Sequence, residues 1–134
     1  MTAPPPCHRP SGLDRIKRAA YRQRGARRQF GNASGWLEPG EQAAVMAAAT
    51  EALGAPILDI GVGGGRTTPL MRAISTNYCG IDYIPEMVAI ARRRFPDADF
   101  RVMDAREMDF HNGRFALTTF SYNGIDSVDV KGRH

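Results

Sequence analysis

Cysteines and long apolar runs are scarce in this sequence of 134 residues. It has two cysteines, Cys7 and Cys79, and neither belongs to a Cys-x-x-Cys pair. We therefore expect no disulfide framework and no structural metal site. No apolar run is long enough for a transmembrane helix, and the opening Met-Thr-Ala-Pro-Pro-Pro lacks the apolar core of a secretory signal. These absences predict a cytoplasmic location.

Acidic residues are also scarce near the N-terminus, where a basic segment follows a proline-rich tail. Residues 1–12 have no hydrophobic period and predict a disordered tail. In residues 13–35 the single acid, Asp14, is outnumbered by arginines and lysines, and the first part of this segment fits a basic helix. Such a segment can bind nucleic acid, face a substrate or simply remain solvated. Nucleic acid has little support as a partner, because Tyr21 is the only aromatic residue between the arginines.

The remaining sequence, residues 36–134, predicts a single globular domain. The whole chain is 43% hydrophobic and 24% charged, which is typical of such domains. The predicted strands are Ile57–Ile60, Asn77–Ile81, Asp99–Met103 and Phe115–Phe120. The predicted helices are Glu41–Leu53, a helix capped by Thr67 or Thr68, and a helix that Pro85 opens and Pro96 ends, with Arg92, Arg93 and Arg94 outward. Strands that alternate with helices predict an α/β fold with a doubly wound, mostly parallel sheet.

A glycine-rich turn follows the first predicted strand. Ile57–Ile60 is apolar throughout except at Asp59, which is typical of a parallel strand buried on both faces. Glycines then occupy alternate positions at Gly61, Gly63 and Gly65. Glycine suits backbone with positive φ and backbone that a ligand approaches closely. A plain surface turn is the simpler interpretation, and the residues at the next strand ends favour a ligand site instead.

Acids end the next two predicted strands. Asp82 lies 21 residues after Gly61, a separation at which an acid can accept hydrogen bonds from both ribose hydroxyls. Asp104 would accept one from the exocyclic amine of adenine. Each acid alone could be a turn or cap residue, but ligands of such sheets bind beyond the carboxyl ends of the strands. Because a row of acids repels pyrophosphate and Arg66 replaces a fingerprint glycine, a nicotinamide-dependent oxidoreductase is a disfavoured alternative.

These motifs, in this order and spacing, resemble class I S-adenosylmethionine-dependent methyltransferases, which have a Rossmann-like fold. The segments that carry the resemblance are residues 58–66, 80–87, 102–105 and 120–124. The resemblance implies S-adenosyl-L-methionine as the cofactor and methyl transfer to an acceptor that the sequence does not identify. No residue stands out as a catalytic base.

For the methionine half of the cofactor, the resemblance implies contacts from the glycine turn and two side chains. The turn backbone would pass close to the methionine part. Asp59 would hold its amino group, often through water, and Ser121, at the end of the fourth strand, would lie near the same amine. A separate hypothesis, which is not a family rule, pairs Arg66 with the cofactor carboxylate.

For the adenosine half, the resemblance implies contacts from the second and third strand ends. Asp82 would bind the ribose, and Tyr83 would lie beside the adenine. Asp104 would accept a hydrogen bond from the adenine amine, while the backbone amide of Ala105 would donate one to the ring.

The resemblance also implies that parts of the family's domain are missing, since that domain continues beyond the fourth strand. We expect the N-terminal half of the fold, truncated after the fourth strand, with the cofactor half of the site present and the acceptor half largely absent. The fourth strand would then be an open edge, where a completing chain or a second copy could pair. Thr118 and Thr119 stand in that strand where the family has aliphatic residues. The alternatives are an inactive fragment that only binds cofactor and, with less support, a nucleic-acid-binding module.

Overall fold

The computed structural model of the chain describes residues 39–121 and, outside this range, only Ala19. The predicted tail (residues 1–12), the rest of the basic segment (residues 13–35) and residues 122–134 lie outside the described residues. The predicted domain boundaries therefore remain predictions.

Residues 39–121 form three helices and four strands. In chain order they are helix α1 (Pro39–Ala52), strand β1 (Ile57–Ile60), helix α2 (Thr68–Ile74), strand β2 (Tyr78–Asp82), helix α3 (Pro85–Arg94), strand β3 (Asp99–Val102) and strand β4 (Leu117–Phe120). The strand order across the sheet is β3-β2-β1-β4, and every pair is parallel. This confirms the predicted α/β fold with a parallel sheet. Among the described residues, β4 lies at one edge.

The predicted element ends differ from the observed ones at two informative places. β2 ends at Asp82 rather than Ile81, so the acid is the last residue of the strand itself. β4 begins at Leu117 rather than Phe115. The ring of Phe115 instead packs edge-on against Phe110, with ring centroids 5.0 Å apart, in the segment before the strand.

The starts of α2 and α3 follow from their prolines, as the sequence predicted. Both helices carry a proline in the first turn, where the missing amide hydrogen has no intrahelical partner to lose. Thr67 occupies the position that caps α2, but its side chain makes no capping hydrogen bond. It donates to Asp59 instead.

The core lies on both faces of the sheet, because side chains alternate along each strand. On one face, Ile57 and Tyr78 pack with residues of all three helices, among them Val45, Met71 and Val88. The buried residues of the opposite face are Leu58, Ile60, Cys79 and Ile81. Partly buried apolar residues between β3 and β4 cover this second face. Within residues 39–121, no helix combines the length and apolarity that a membrane span requires.

Gly80, in the middle of β2, leaves space beside the strand for the aromatic rings of Phe100 and Tyr78. A Cβ at this position would lie 2.8 Å from Cδ1 of Phe100 and 3.0 Å from the hydroxyl of Tyr78. These two rings meet edge-on with their centroids 6.0 Å apart. The space that glycine leaves therefore allows the Tyr78 hydroxyl to reach Asp59 in β1, to which it donates a hydrogen bond of 3.0 Å.

Replacing Gly80 with alanine should lower the free energy of unfolding by about 1–3 kcal/mol, because the new methyl group would overpack this space. Urea denaturation followed by circular dichroism would measure the change. Gly40→Ala is a matched control, since a Cβ there has nothing within 4 Å and the residue lies in α1. Alanine at that helical position should leave stability equal or slightly higher. Equal stability of Gly80→Ala and the wild type would contradict the role assigned to Gly80.

Candidate functional site

The parallel register brings the predicted site residues to one edge of the sheet. Ile60, the last residue of β1, pairs with Ile81 in β2 and with Phe120 in β4, so these residues form one line across the sheet. The residues that directly follow this line lie side by side at the carboxyl edge: Gly61, Asp82 and Ser121. Asp104 comes after β3, whose last residue, Val102, pairs with Asp82.

The glycine turn has the backbone geometry that its sequence predicts. The φ angles are 68° at Gly61, 55° at Gly63 and 97° at Gly65, in the left-handed region that glycine adopts without strain. Gly61 is exposed, so its backbone is accessible to a ligand. Gly65 is buried, and a Cβ there would lie 2.6 Å from Cε2 of Phe95. Close packing therefore requires glycine at position 65.

Asp82 joins the glycine turn to the end of β2. Its Oδ2 accepts a hydrogen bond from the backbone nitrogen of Gly63, and its Oδ1 accepts one from that of Ile84, both at 2.9 Å. Burial raises the pKa of Asp82, and these amide hydrogen bonds act in the opposite direction. Because a carboxylate has about four lone-pair sites, two amides can orient it without exhausting its capacity to accept hydrogen bonds from a ligand.

Asp59 lies beneath the turn and is only 1% exposed. Its Oδ2 accepts hydrogen bonds from the hydroxyls of Thr67 at 2.5 Å and Tyr78 at 3.0 Å. Its Oδ1 accepts one from the Thr119 hydroxyl at 3.1 Å. Burial raises the pKa of Asp59, against the opposing effect of these hydroxyl groups. One carboxylate thus links β1 to β2, to β4 and to the start of α2.

The hydroxyl partners of Asp59 were missed at the level of sequence, although one of them left a signal. Thr119 departs from the apolar pattern of its strand, and in the structure it is paired with Asp59 in the register of β1 and β4. The polar Thr119 in this strand is therefore explained by its hydrogen bond to the buried Asp59. Tyr78 gave no such signal, because a tyrosine in a strand is ordinary.

Asp104 is bound by a residue that sequence reasoning did not single out, Arg106. The guanidinium donates from Nη2 to Oδ2 at 2.6 Å and from Nε to Oδ1 at 3.0 Å. The backbone nitrogen of Arg106 also donates to Oδ1 at 2.9 Å. In the same turn, the backbone nitrogen of Glu107 donates to the carbonyl oxygen of Asp104 at 3.0 Å. Side chain and backbone together fix Asp104 after β3.

Arg66 binds Glu41 of α1 in this structure, and its pairing with a cofactor carboxylate stays a hypothesis. Its two terminal nitrogens donate to the two carboxylate oxygens of Glu41, each at 3.0 Å. The expectation that Arg94 faces outward, in contrast, is wrong. Its side chain is half-buried, and Nη1 donates to the carbonyl oxygen of Gly64 at 2.8 Å. Both arginines therefore stabilise the glycine turn through contacts inside the protein.

The other predicted residues lie at the same edge as the two acids. Tyr83 directly follows Asp82, Ala105 directly follows Asp104, and Ser121 directly follows β4, and these three followers are half-buried. Asp59 lies deeper, below the turn. Carboxylates beside accessible backbone can bind a ligand that donates several hydrogen bonds.

The comparison with protein families identifies a match over more than half of the chain. Residues 57–133 match a family model described as a methyltransferase domain. No protein of curated function matches the chain in sequence.

Solved structures of two methyltransferases and of a third protein share the fold. SAM-bound CalS10, an amino pentose methyltransferase from Micromonospora echinaspora involved in calicheamicin biosynthesis, is 23% identical with a TM-score of 0.61, over 88% of this chain and 46% of that one. The YcgJ protein from Bacillus subtilis is 22% identical with a TM-score of 0.58, over 69% and 43%. A TehB-like SAM-dependent methyltransferase from Corynebacterium glutamicum is 24% identical with a TM-score of 0.55, over 70% and 58%. This chain therefore spans about half the length of these three proteins.

The raised pKa of Asp59 predicts a pH dependence of stability that the substitution Asp59→Asn removes. The folded chain holds the carboxyl proton more tightly than the unfolded chain, whose pKa is near 3.8. The stability that this linkage contributes is therefore full below that value and is lost as the pH rises through the folded-state pKa. Urea unfolding should show that the difference in unfolding free energy, wild type minus Asp59→Asn, decreases as the pH rises above about 4.

Asp97→Asn provides a control of opposite sign. Its hydrogen bonds with Arg72 lower the pKa of Asp97, so the corresponding difference should increase as the pH rises to about 4 and should then level off, without any decrease. A difference for Asp59→Asn that stays constant or increases with pH would contradict the effect of burial on this carboxyl.

Proposed function

Because the chain belongs to the methyltransferase-domain family, we propose that it binds S-adenosyl-L-methionine at the carboxyl edge of its sheet and takes part in methyl transfer. The observation that supports this most directly is the junction of Asp82 with the glycine turn. An oriented carboxylate there adjoins exposed backbone at Gly61. The methyl acceptor is left open by the same observations.

The donor and acceptor groups at the edge fit the adenosine half of this cofactor. A ribose presents two neighbouring hydroxyl donors, and a carboxylate accepts from both. We assign the ribose to Asp82 and the adenine to the next strand end, with Asp104 accepting from the exocyclic amine and the Ala105 amide donating to the ring. Tyr83, half-buried directly after Asp82, would contact the adenine.

The methionine half is assigned to the glycine turn and Ser121. The backbone at Gly61 and Gly63 would pass close to it, while Gly65 supports the turn through its packing with Phe95. Asp59 accepts hydrogen bonds from hydroxyls and is almost fully buried. Its proposed interaction with the cofactor's amino group would therefore run through a bridging group such as water.

The proposed role of the protein in the reaction is to align the reactants. When bound, S-adenosyl-L-methionine supplies an electrophilic methyl group on a sulfonium. Holding donor and acceptor in line accounts for much of the rate enhancement in such reactions, and the turn and the two acids would hold the donor. We assign no residue as a catalytic base.

Cofactor binding without methyl transfer is the second candidate function. The chain spans 43% to 58% of the lengths of the three similar structures described above, while the proposed cofactor contacts come from within residues 59–121. Binding and transfer are therefore separate proposals, and binding is tested first.

The substitution Asp82→Asn should weaken binding of S-adenosyl-L-methionine by about 10- to 100-fold, because a charged acceptor of hydrogen bonds is lost. Isothermal titration calorimetry on the full chain would measure both affinities, with circular dichroism to confirm that the variant is folded. Asp97→Asn is the matched control, since this acid binds Arg72 at the exposed surface, and it should bind the cofactor as the wild type does.

Titration of the wild type with NAD completes the experiment. Heat with NAD and none with S-adenosyl-L-methionine would reject the proposed cofactor in favour of an oxidoreductase. Unchanged affinity in Asp82→Asn would reject the assignment of the ribose to this residue.

A further inference from the structure

We propose that Arg106 is a positioning residue that holds the carboxylate of Asp104 in place for adenine recognition. The fixed carboxylate would make the site select adenine over hypoxanthine. This inference rests on the cofactor site proposed above. In this proposal Asp104 contacts the adenine, and Arg106 acts only through Asp104.

The contacts of Arg106 fix the orientation of that carboxylate. Nε and Nη2 donate to different oxygens of Asp104, at 3.0 Å and 2.6 Å, and the backbone nitrogen adds a third hydrogen bond of 2.9 Å to Oδ1. A two-point guanidinium contact defines the plane of a carboxylate, which a single-point contact does not. The backbone contact makes an Asx turn, which also fixes the direction of the side chain.

The exposure of the pair indicates which partner is available to a ligand. The Arg106 side chain is 11% exposed, whereas that of Asp104 is 25% exposed. The arginine is thus the more enclosed member, and the carboxylate is the more accessible one. This arrangement suits an arginine that supports the acid from the protein side.

A second Asp-x-Arg pair, at the opposite end of β3, has the same spacing and a different setting. Arg101 donates to Asp99 from Nε at 3.2 Å and from Nη2 at 2.8 Å. The side chain of Arg101 is 40% exposed and that of Asp99 is 45% exposed. Asp99 begins β3, so its carboxylate belongs to the amino end of the strand, whereas Asp104 follows the carboxyl end. The sequence pattern alone therefore does not distinguish the two pairs, whereas their positions along the strand do.

A fixed carboxylate should discriminate between purine bases at position 6. Adenine presents an amine there, which donates a hydrogen bond to Asp104. Hypoxanthine presents a carbonyl oxygen, which would place one acceptor against another. If the carboxylate can rotate away, this mismatch is relieved and the discrimination falls. Loss of Arg106 is therefore expected to change the preference between the bases rather than only the overall affinity.

The test compares the affinities of the full chain for S-adenosylhomocysteine and for S-inosylhomocysteine by isothermal titration calorimetry. The wild type should prefer the adenine compound by about 10- to 100-fold, the range expected for a hydrogen bond to a charged group. Arg106→Gln should reduce this preference by about fivefold or more. Arg106→Lys keeps the charge without the two-point contact and should give an intermediate preference. Arg101→Gln is the matched control and should keep the wild-type preference.

Each outcome decides a separate question. Equal preference in Arg106→Gln and the wild type would overturn the proposed role, as would tighter binding of S-adenosylhomocysteine by the variant, because the arginine would then block the acid. Affinities for both compounds that fall by the same factor would assign Arg106 a structural role only, and would also overturn the proposal. If Arg106→Gln does not fold, the preference of Arg106→Lys decides, and a wild-type value there rejects the proposal. Failure of the wild type to bind either compound would reject the cofactor site itself, and this inference with it.

Discussion

The buried carboxylate of Asp59 is the constraint on which the arrangement of the edge depends. Burying such a group without hydrogen bonds would cost several kcal/mol or force it to take up a proton. The hydroxyls of Thr67, Tyr78 and Thr119 supply those hydrogen bonds from α2, β2 and β4. The residue that precedes α2, the first residue of β2 and a residue near the end of β4 are thereby held against β1. The glycine turn lies between these attachment points, so its path is defined at both ends.

The arginines near the turn support it from the protein side. Arg66 binds Glu41, Arg94 binds the carbonyl oxygen of Gly64, and Arg106 binds Asp104. In each case the positive charge has an acceptor within the described residues. Within residues 39–121, acids and backbone groups at the carboxyl edge are therefore the groups offered to a ligand. This chemistry suits a ligand with hydroxyl and amine donors better than a pyrophosphate.

Most of the fold was predictable, because it follows from local patterns along the chain. The continuous apolar run of β1, the alternation of strands and helices, and prolines at helix starts are local signals, and they predicted the parallel sheet with strand ends correct to within about two residues. The ion pair of Arg66 with Glu41 was not predicted, for the opposite reason. Glu41 is 25 residues away in the sequence, and no local pattern indicates which acid a long side chain will reach.

The sequence by itself determined where the glycines and acids stand relative to the strand ends, since that depends only on their positions along each strand. It therefore placed Gly61, Asp82 and Asp104 at one edge as soon as the sheet was taken to be parallel. The tertiary structure alone decided how each group is used. It buried Asp59 among hydroxyls, gave Asp82 two amide donors and enclosed Arg106 behind Asp104. Such roles depend on side chains from distant segments meeting in space, and burial and contact between them arise only when the whole sheet has packed.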